Sequence, residues 1–170
     1  MTPRDPLTKV VTAEQFLDGI RKRGTASKTV FTNGCFDLIH RGHVDYLLRC
    51  RDLGDTLVVG LNTDASVRRL KGATRPVTSE QDRAFVLAAL ECVDYVIFFS
   101  QDDPLQLIRA IQPDVLVKGG DWPPETIVGR EVVQARGGRV HSLPLLPGHS
   151  TSELIRRIAS QAGGGDPPRS

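Results

Sequence analysis

Short apolar runs recur along the 170 residues, each followed within a few positions by a helical pattern, and this alternation restricts the possible folds more than any other feature. KTVFTN, TLVVGLN, DYVIFF, DVLVKGG and RVHSLPL are near-continuous in apolar residues, as expected for strands buried on both faces. Residues 41–53 carry Val44, Leu47 and Leu48 at helical spacing up to Gly54, and TDASVRRLKG reads as a short helix. A capping box opening at Thr78 (TSEQ) precedes the helical AFVLAALE, and Asp103 with Pro104 starts a helix ending near Gln112. Strands and helices in this order predict a doubly wound α/β fold, with a Rossmann-like parallel sheet of five strands. Ligands of such sheets bind at the carboxyl ends of the strands. TNGCFD, GLNTD, VKGGDW and the segment after LPL therefore belong on one rim.

The flanks are simpler. Thr12 to Gln15 (TAEQ) forms a capping box, and Phe16, Leu17 and Ile20 make one apolar face before Gly24 ends the helix. That face either packs on the chain's own sheet or serves a homodimer, the oligomer expected here. The GGGDPPRS tail is rich in Gly and Pro and reads as disordered. The expected divisions are a lead-in helix at 1–27, one domain at 28–160 and a tail at 161–170.

Composition removes several classes of function. A formal net charge of +2 with one dense basic run, Arg21 to Arg23, gives no footprint for nucleic acid. Cys35, Cys50 and Cys92 are odd in number and contain no CxxC pair, so they read as reduced thiols. MTPRDPLTKV lacks the apolar core of a signal peptide, and Glu91 and Asp94 interrupt the most apolar stretch, Ala84 to Phe99. A cytoplasmic protein without membrane contact is expected.

The chemistry concentrates in TNGCFDLIHRGH. Gly34 follows the first strand, where a missing Cβ lets backbone approach a ligand, and the next helix presents free N–H groups to an anion. Neither GxGxxG nor GxxxxGK[ST] occurs, so the dinucleotide and P-loop readings lose support. His40 and His43 share one side of the helix start. From spacing alone they are phosphate donors, an acid and base, metal ligands or ordinary surface or core histidines; the absence of HExxH and of a nearby third ligand disfavours metal. Ser150 starts a further capping box with Glu153, and the hydroxyls of Ser150, Thr151 and Ser152 suit phosphate oxygens as well as a plain helix cap. GHSTS lacks the second glycine of GxSxG, which argues against a serine nucleophile. Lys118 ends an apolar strand on the rim and is followed by two glycines.

With HRGH (His40 to His43) after the first strand and HSTS (His149 to Ser152) near the end, the chain resembles the HxGH nucleotidylyltransferase superfamily. More narrowly, TNGCFDLIHRGHVDYL, GLNTDASVRRLKG, RPV, LAALECVDYVIFF, PDVLVKGGDW and LPGHSTSELI resemble the heptose 1-phosphate adenylyltransferase domain of lipopolysaccharide-heptose biosynthesis, over most of residues 9–159. The resemblance implies transfer of AMP from ATP to D-glycero-D-manno-heptose 1-phosphate, with Mg²⁺, giving ADP-heptose and pyrophosphate. It implies catalytic roles for His40, His43 and Lys118. It puts Asn33, Gly34, Cys35, Phe36, Gly42, Gly119, Asp121, Trp122, Ser150, Thr151 and Ser152 around the nucleotide. Asp37, Asn62, Asp64, Lys71 and Arg83 fall to the sugar-phosphate side, and His149 receives no role.

Departures from the pattern inform the expectation too. The chain has no room for the sugar kinase joined to many relatives, so a monofunctional transferase is expected. Glu91 lies ahead of VDYV, and LPLLPG has no arginine, which disfavours CTP. Rival expectations are a cytidylyl or adenylyl transferase for another small phosphate (glycerol 3-phosphate, ethanolamine phosphate or FMN) and a non-catalytic nucleotide sensor.

Overall fold

A computed structural model describes residues 5–23 and 27–162. Its strands are β1 (Thr29–Gly34), β2 (Thr56–Asn62), β3 (Tyr95–Phe99), β4 (Val115–Gly119) and β5 (Arg139–Leu143). All pair in parallel, in the order β3-β2-β1-β4-β5. The expected doubly wound sheet is therefore present, and its order reverses between β1 and β4, the switch point where ligands of open α/β sheets bind.

The helices are α1 (Ala13–Arg23), α2 (Arg41–Arg51), α3 (Asp64–Lys71), α4 (Glu80–Ala89), α5 (Leu105–Ile111), α6 (Arg130–Gln134) and α7 (Thr151–Ala162). Because side chains alternate across a strand, neighbouring residues feed two different cores. Val30, Leu57 and Val59 pack with Leu47 of α2 and Leu87 of α4 on one face. Phe31, Val58 and Leu116 pack with Phe16 of α1, Ile108 of α5 and Val133 of α6 on the other. The short α6 follows a single 3₁₀ turn (Pro124–Thr126) and has no counterpart among the sequence expectations. Five residues are too few for a helical period to stand out.

The TAEQ capping box forms: the Thr12 N–H donates to Gln15 Oε1 at 2.8 Å, and the Gln15 N–H donates to Thr12 Oγ1 at 3.1 Å. The apolar face of α1 goes to the chain's own sheet, with Phe16 edge-on to Tyr95 at 5.2 Å and Leu17 against the same core. That spends the face offered for a dimer; the side chain of Ile20, the Gly24 stop and the tail from 163 lie outside the described residues. Val10 bridges to Val96, so the lead-in segment also covers the β3 edge.

One boundary needs correction. Helix α4 is capped by Ser79, whose Oγ accepts from the Asp82 N–H at 3.2 Å, one residue later than the Thr78 expectation. Thr78 is drawn off instead by Asp37, donating its hydroxyl to the Asp37 carbonyl. Cys50 and Cys92 are buried free thiols and Cys35 a half-buried one. Among the described residues no helix is long and apolar enough to cross a membrane.

Candidate active site

A cavity of about 590 Å³ opens at the carboxyl ends of β1, β2 and β4. This size suits a small-molecule site. Of the expected residues it is lined by Asn33, Gly34, Cys35, Phe36, Asp37, His43, Asn62, Lys71, Lys118, Trp122, Thr151 and Ser152. These come from six secondary-structure elements and two loops, and the sheet alone makes them neighbours.

The floor is the turn leaving β1. Phe36 takes a left-handed conformation (φ 44°), which costs a non-glycine residue about 1–3 kcal/mol and has to be held by its surroundings. Its ring lies under Gly34, where a Cβ would come within 3.0 Å of it, and 5.3 Å from the His43 ring. The glycine thus lets the phenylalanine tuck beneath the backbone.

His40 and His43 stack with ring centroids 3.9 Å apart. Burial pushes the His43 imidazole down to about 4, with His40 adding to the effect, and burial followed by His149 lowers His40. Both rings are therefore neutral near pH 7 in the free protein. Their buried Nδ1 atoms have no hydrogen-bond partner among the described residues. Buried polar atoms left without a partner are costly; His43 lines the cavity, whereas His40 stands behind it, outside the cavity wall.

The HSTS segment closes over this pair. Gly42 permits it, because a Cβ there would lie 2.9 Å from the Cβ of His149 and 3.1 Å from the His40 ring. Ser150 caps α7, accepting from the Glu153 N–H at 3.1 Å, and Thr151 donates to the Leu38 carbonyl at 3.4 Å. Thr151 and Ser152, at the start of α7, consequently share a cavity with His43.

On the other wall, burial lowers Lys118 below the usual lysine range, Cys35 opposing and Lys71 adding to the shift. Like charge beside a partly buried ammonium favours an anionic guest. Burial raises the Cys35 thiol, so it stays protonated. Trp122 is 52% exposed at the rim, its indole N–H donating to the Gly119 carbonyl at 3.1 Å and its backbone N–H to Ser142 Oγ at 3.0 Å. Gly119 thereby orients the tryptophan, while the neighbouring Asp121 is exposed outside the cavity wall.

Two expectations for the sugar-phosphate side, Arg83 and Asp64, are corrected, and Asp37 reaches the cavity with its carboxylate already engaged. Arg83 is 1% exposed, and its guanidinium donates to the carbonyls of Cys35 (2.5 Å), Asn62 (2.9 Å) and Thr78 (3.2 Å) and to Asp64 Oδ1 (2.7 Å). It is a clamp behind the cavity, because burial without these acceptors would be prohibitive. Asp64 is occupied by Arg83 and sits outside the cavity wall. Asp37 does line the cavity, but its carboxylate is taken by Arg75 Nε (2.6 Å), the Val77 N–H (2.8 Å) and the Thr78 N–H (3.0 Å). Burial alone would raise its pKa; the Thr78 and Val77 N–H groups, with Arg75, hold it below the usual carboxylate range.

Arg75, Asp102, Asp103 and Val128 also line the cavity and had no functional role among the sequence expectations. Arg75 was visible only within the RPV block, and the Asp102–Asp103 pair only as a helix start.

Comparison with known proteins agrees with this architecture. The cytidylyltransferase-like family model matches residues 31–157. The bifunctional protein HldE of Citrifermentans bemidjiense is 59% identical over 140 residues, which is 82% of this chain and 29% of that protein. HldE of Pelobacter propionicus is 54% identical over 155 residues, or 91% of this chain and 30% of that protein. The chain thus spans under a third of the length of these relatives. A lipopolysaccharide core biosynthesis protein from Thermoplasma volcanium superposes with a TM-score of 0.57 at 27% identity, covering 71% of this chain and 98% of that one. Pantoate-beta-alanine ligase from Francisella tularensis, with a TM-score of 0.61 at 14% identity over 92% of this chain and 80% of its own, shares the fold. With the match extending from the middle of β1 into α7, across every element that builds the cavity, the chain belongs to the cytidylyltransferase-like family.

Proposed function

We propose that the chain transfers AMP from ATP to D-glycero-D-manno-heptose 1-phosphate, giving ADP-heptose and pyrophosphate for lipopolysaccharide core synthesis in the cytoplasm. The observation that carries this reading is the convergence of His43, the α7 N-terminus and Lys118 on one cavity that Lys71 and Arg75 also line. The extent of identity to part of the HldE proteins supports the sugar-phosphate acceptor.

The chemistry needs little from the protein beyond alignment and charge stabilisation. An acceptor phosphate is already ionised near neutral pH. Its oxygen attacks the α-phosphorus, the bond from that phosphorus to the β-bridging oxygen breaks, and pyrophosphate leaves with the electron pair. No general base is required. Neutral imidazoles at His40 and His43 each retain one N–H to donate to the phosphate oxygens, while the α7 N-terminus, Thr151 and Ser152 hold the β and γ phosphates. Such preorganised donors contribute about 3 kcal/mol each to transition-state stabilisation. Lys118 faces the charge that spreads over the transferring phosphate.

Nucleotidyltransferases typically take their nucleotide with Mg²⁺. Among the described residues no group of three or more His, Cys, Asp or Glu side chains could hold a metal ion. These residues build no cage of their own for Mg²⁺, and the ion would come with the triphosphate.

Pyrophosphate release from ATP and from CTP, measured across a panel of sugar phosphates and small phosphates, tests the reading. Release with ATP and heptose 1-phosphate is expected. Activity with CTP alone overturns the adenylyl assignment, and no release with any acceptor favours the sensor.

A further inference from the structure

We propose that Arg75 is the residue that grips the phosphate of the acceptor, and that Asp37 is the positioning residue that aims it. The inference rests on the transferase reading above and adds a residue that the sequence did not single out.

The link between α3 and α4 has little reason of its own to fold inward. It has no regular secondary structure from Gly72 to Ser79, and Ala73, Thr74 and Val77 are exposed. Arg75 nevertheless has a side chain only 18% exposed, against an Asp37 side chain at 1%. The cause is the buried carboxylate of Asp37, which would be costly without donors. It draws Arg75 Nε to 2.6 Å and the N–H groups of Val77 and Thr78 to 2.8 and 3.0 Å. A loop some forty residues away in sequence is thereby moored to the turn that follows β1.

That mooring uses only part of the guanidinium. Arg75 donates to Asp37 through Nε, and its two terminal nitrogens have no protein partner among the described residues, although the residue lines the cavity. A guanidinium held at Nε keeps a planar fork of two N–H groups, the geometry that matches two oxygens of one phosphate. Arg83, for comparison, donates from every nitrogen to acceptors of the protein itself.

The topology assigns the fork to the acceptor. The nucleotide side is built from α7, α2 and the end of β4, with Thr151 docking on the Leu38 carbonyl. Arg75 enters from the connection after β2, which lies across β1 from β4. Lys71 reaches the cavity from the same connection. A phosphomonoester seated between Arg75 and Lys71 would meet the α-phosphorus from the side opposite Trp122. The ligand class is therefore a phosphate monoester dianion, whatever alcohol it carries.

The test compares the full chain with Arg75→Gln, Arg75→Lys and Asp37→Asn, measuring KM for ATP and for heptose 1-phosphate separately, with thermal midpoints alongside. In Arg75→Gln, kcat/KM for the acceptor should fall about 100-fold through KM, with KM for ATP unchanged. Arg75→Lys should recover part of that loss, because charge returns without the fork. Asp37→Asn should move acceptor KM in the same direction, and combined with Arg75→Gln it should add little, since one acts through the other. Equal rises in both KM values, a change in ATP KM alone, or an unaltered acceptor KM would overturn the proposal. Calorimetric binding of heptose 1-phosphate in the presence of a non-hydrolysable ATP analogue separates this idea from the function itself. If the wild type binds the sugar phosphate without turning it over, the transferase reading fails, and weakened binding in Arg75→Gln still upholds the fork. Should Arg75→Gln not fold, the acceptor KM of Arg75→Lys decides: unchanged, it sinks the proposal.

Discussion

At the scale of single residues, the site depends on groups kept in unusual states by burial. His43 is the sharpest case, held near 4 by burial with His40 adding to it, against an ordinary value of 6.5. A lowered histidine pKa means that the unfolded chain binds a proton the folded chain refuses, so stability falls as pH drops from about 6.5 to about 4 and levels off below that. The thermal midpoint should decline across that window, and His43→Asn should flatten the decline. Triphosphate beside the ring reverses the preference, because an anion favours the imidazolium. ATP binding near pH 6 is therefore expected to take up protons, seen by calorimetry in buffers of different ionisation enthalpy, and His43→Asn should remove most of that uptake. The spacing of the two histidines was legible because it depends only on helix geometry. Their neutrality was not, since it depends on what covers them.

At the scale of elements, local sequence signals place most helix starts correctly. Thr12, Ser150 and Thr63 each cap the helix they precede, because a hydroxyl accepting an N–H two or three residues later is a local interaction. Thr78 fails for the opposite reason: a buried carboxylate from a distant turn competes for it and wins. Contacts between elements also decide what a glycine is for. Gly42→Ala should force the HSTS segment or the His40 ring away, because the added methyl would come within 2.9 Å of the one and 3.1 Å of the other, and the site has little slack. We expect a fall in kcat of at least about tenfold with raised KM for ATP, while the unfolding free energy changes by about 1–2 kcal/mol; steady-state kinetics and urea titration check both.

At the scale of the whole molecule, Arg83 joins parts that the chain order keeps apart. It ties the end of β1, the end of β2, the start of α3 and the α4 approach through one buried guanidinium. Arg83→Met should cost about 3 kcal/mol in a denaturant titration, since a similar volume returns but three carbonyls lose their donor. Sequence alone determined most of the strand and helix alternation, the parallel sheet, and the rim shared by the HRGH and HSTS segments, because apolar periodicity and capping are short-range signals. Tertiary structure alone decided which charges remain free for a ligand. Asp37, Asp64 and Arg83 look like site residues in one dimension, yet most of their partners lie 19 to 48 residues away, while Arg75 gains its place from one of them. Whether a charge is spent inside the protein or left for substrate depends on its neighbours in space, and burial makes that choice strict because an unpaired ion away from water costs too much to keep.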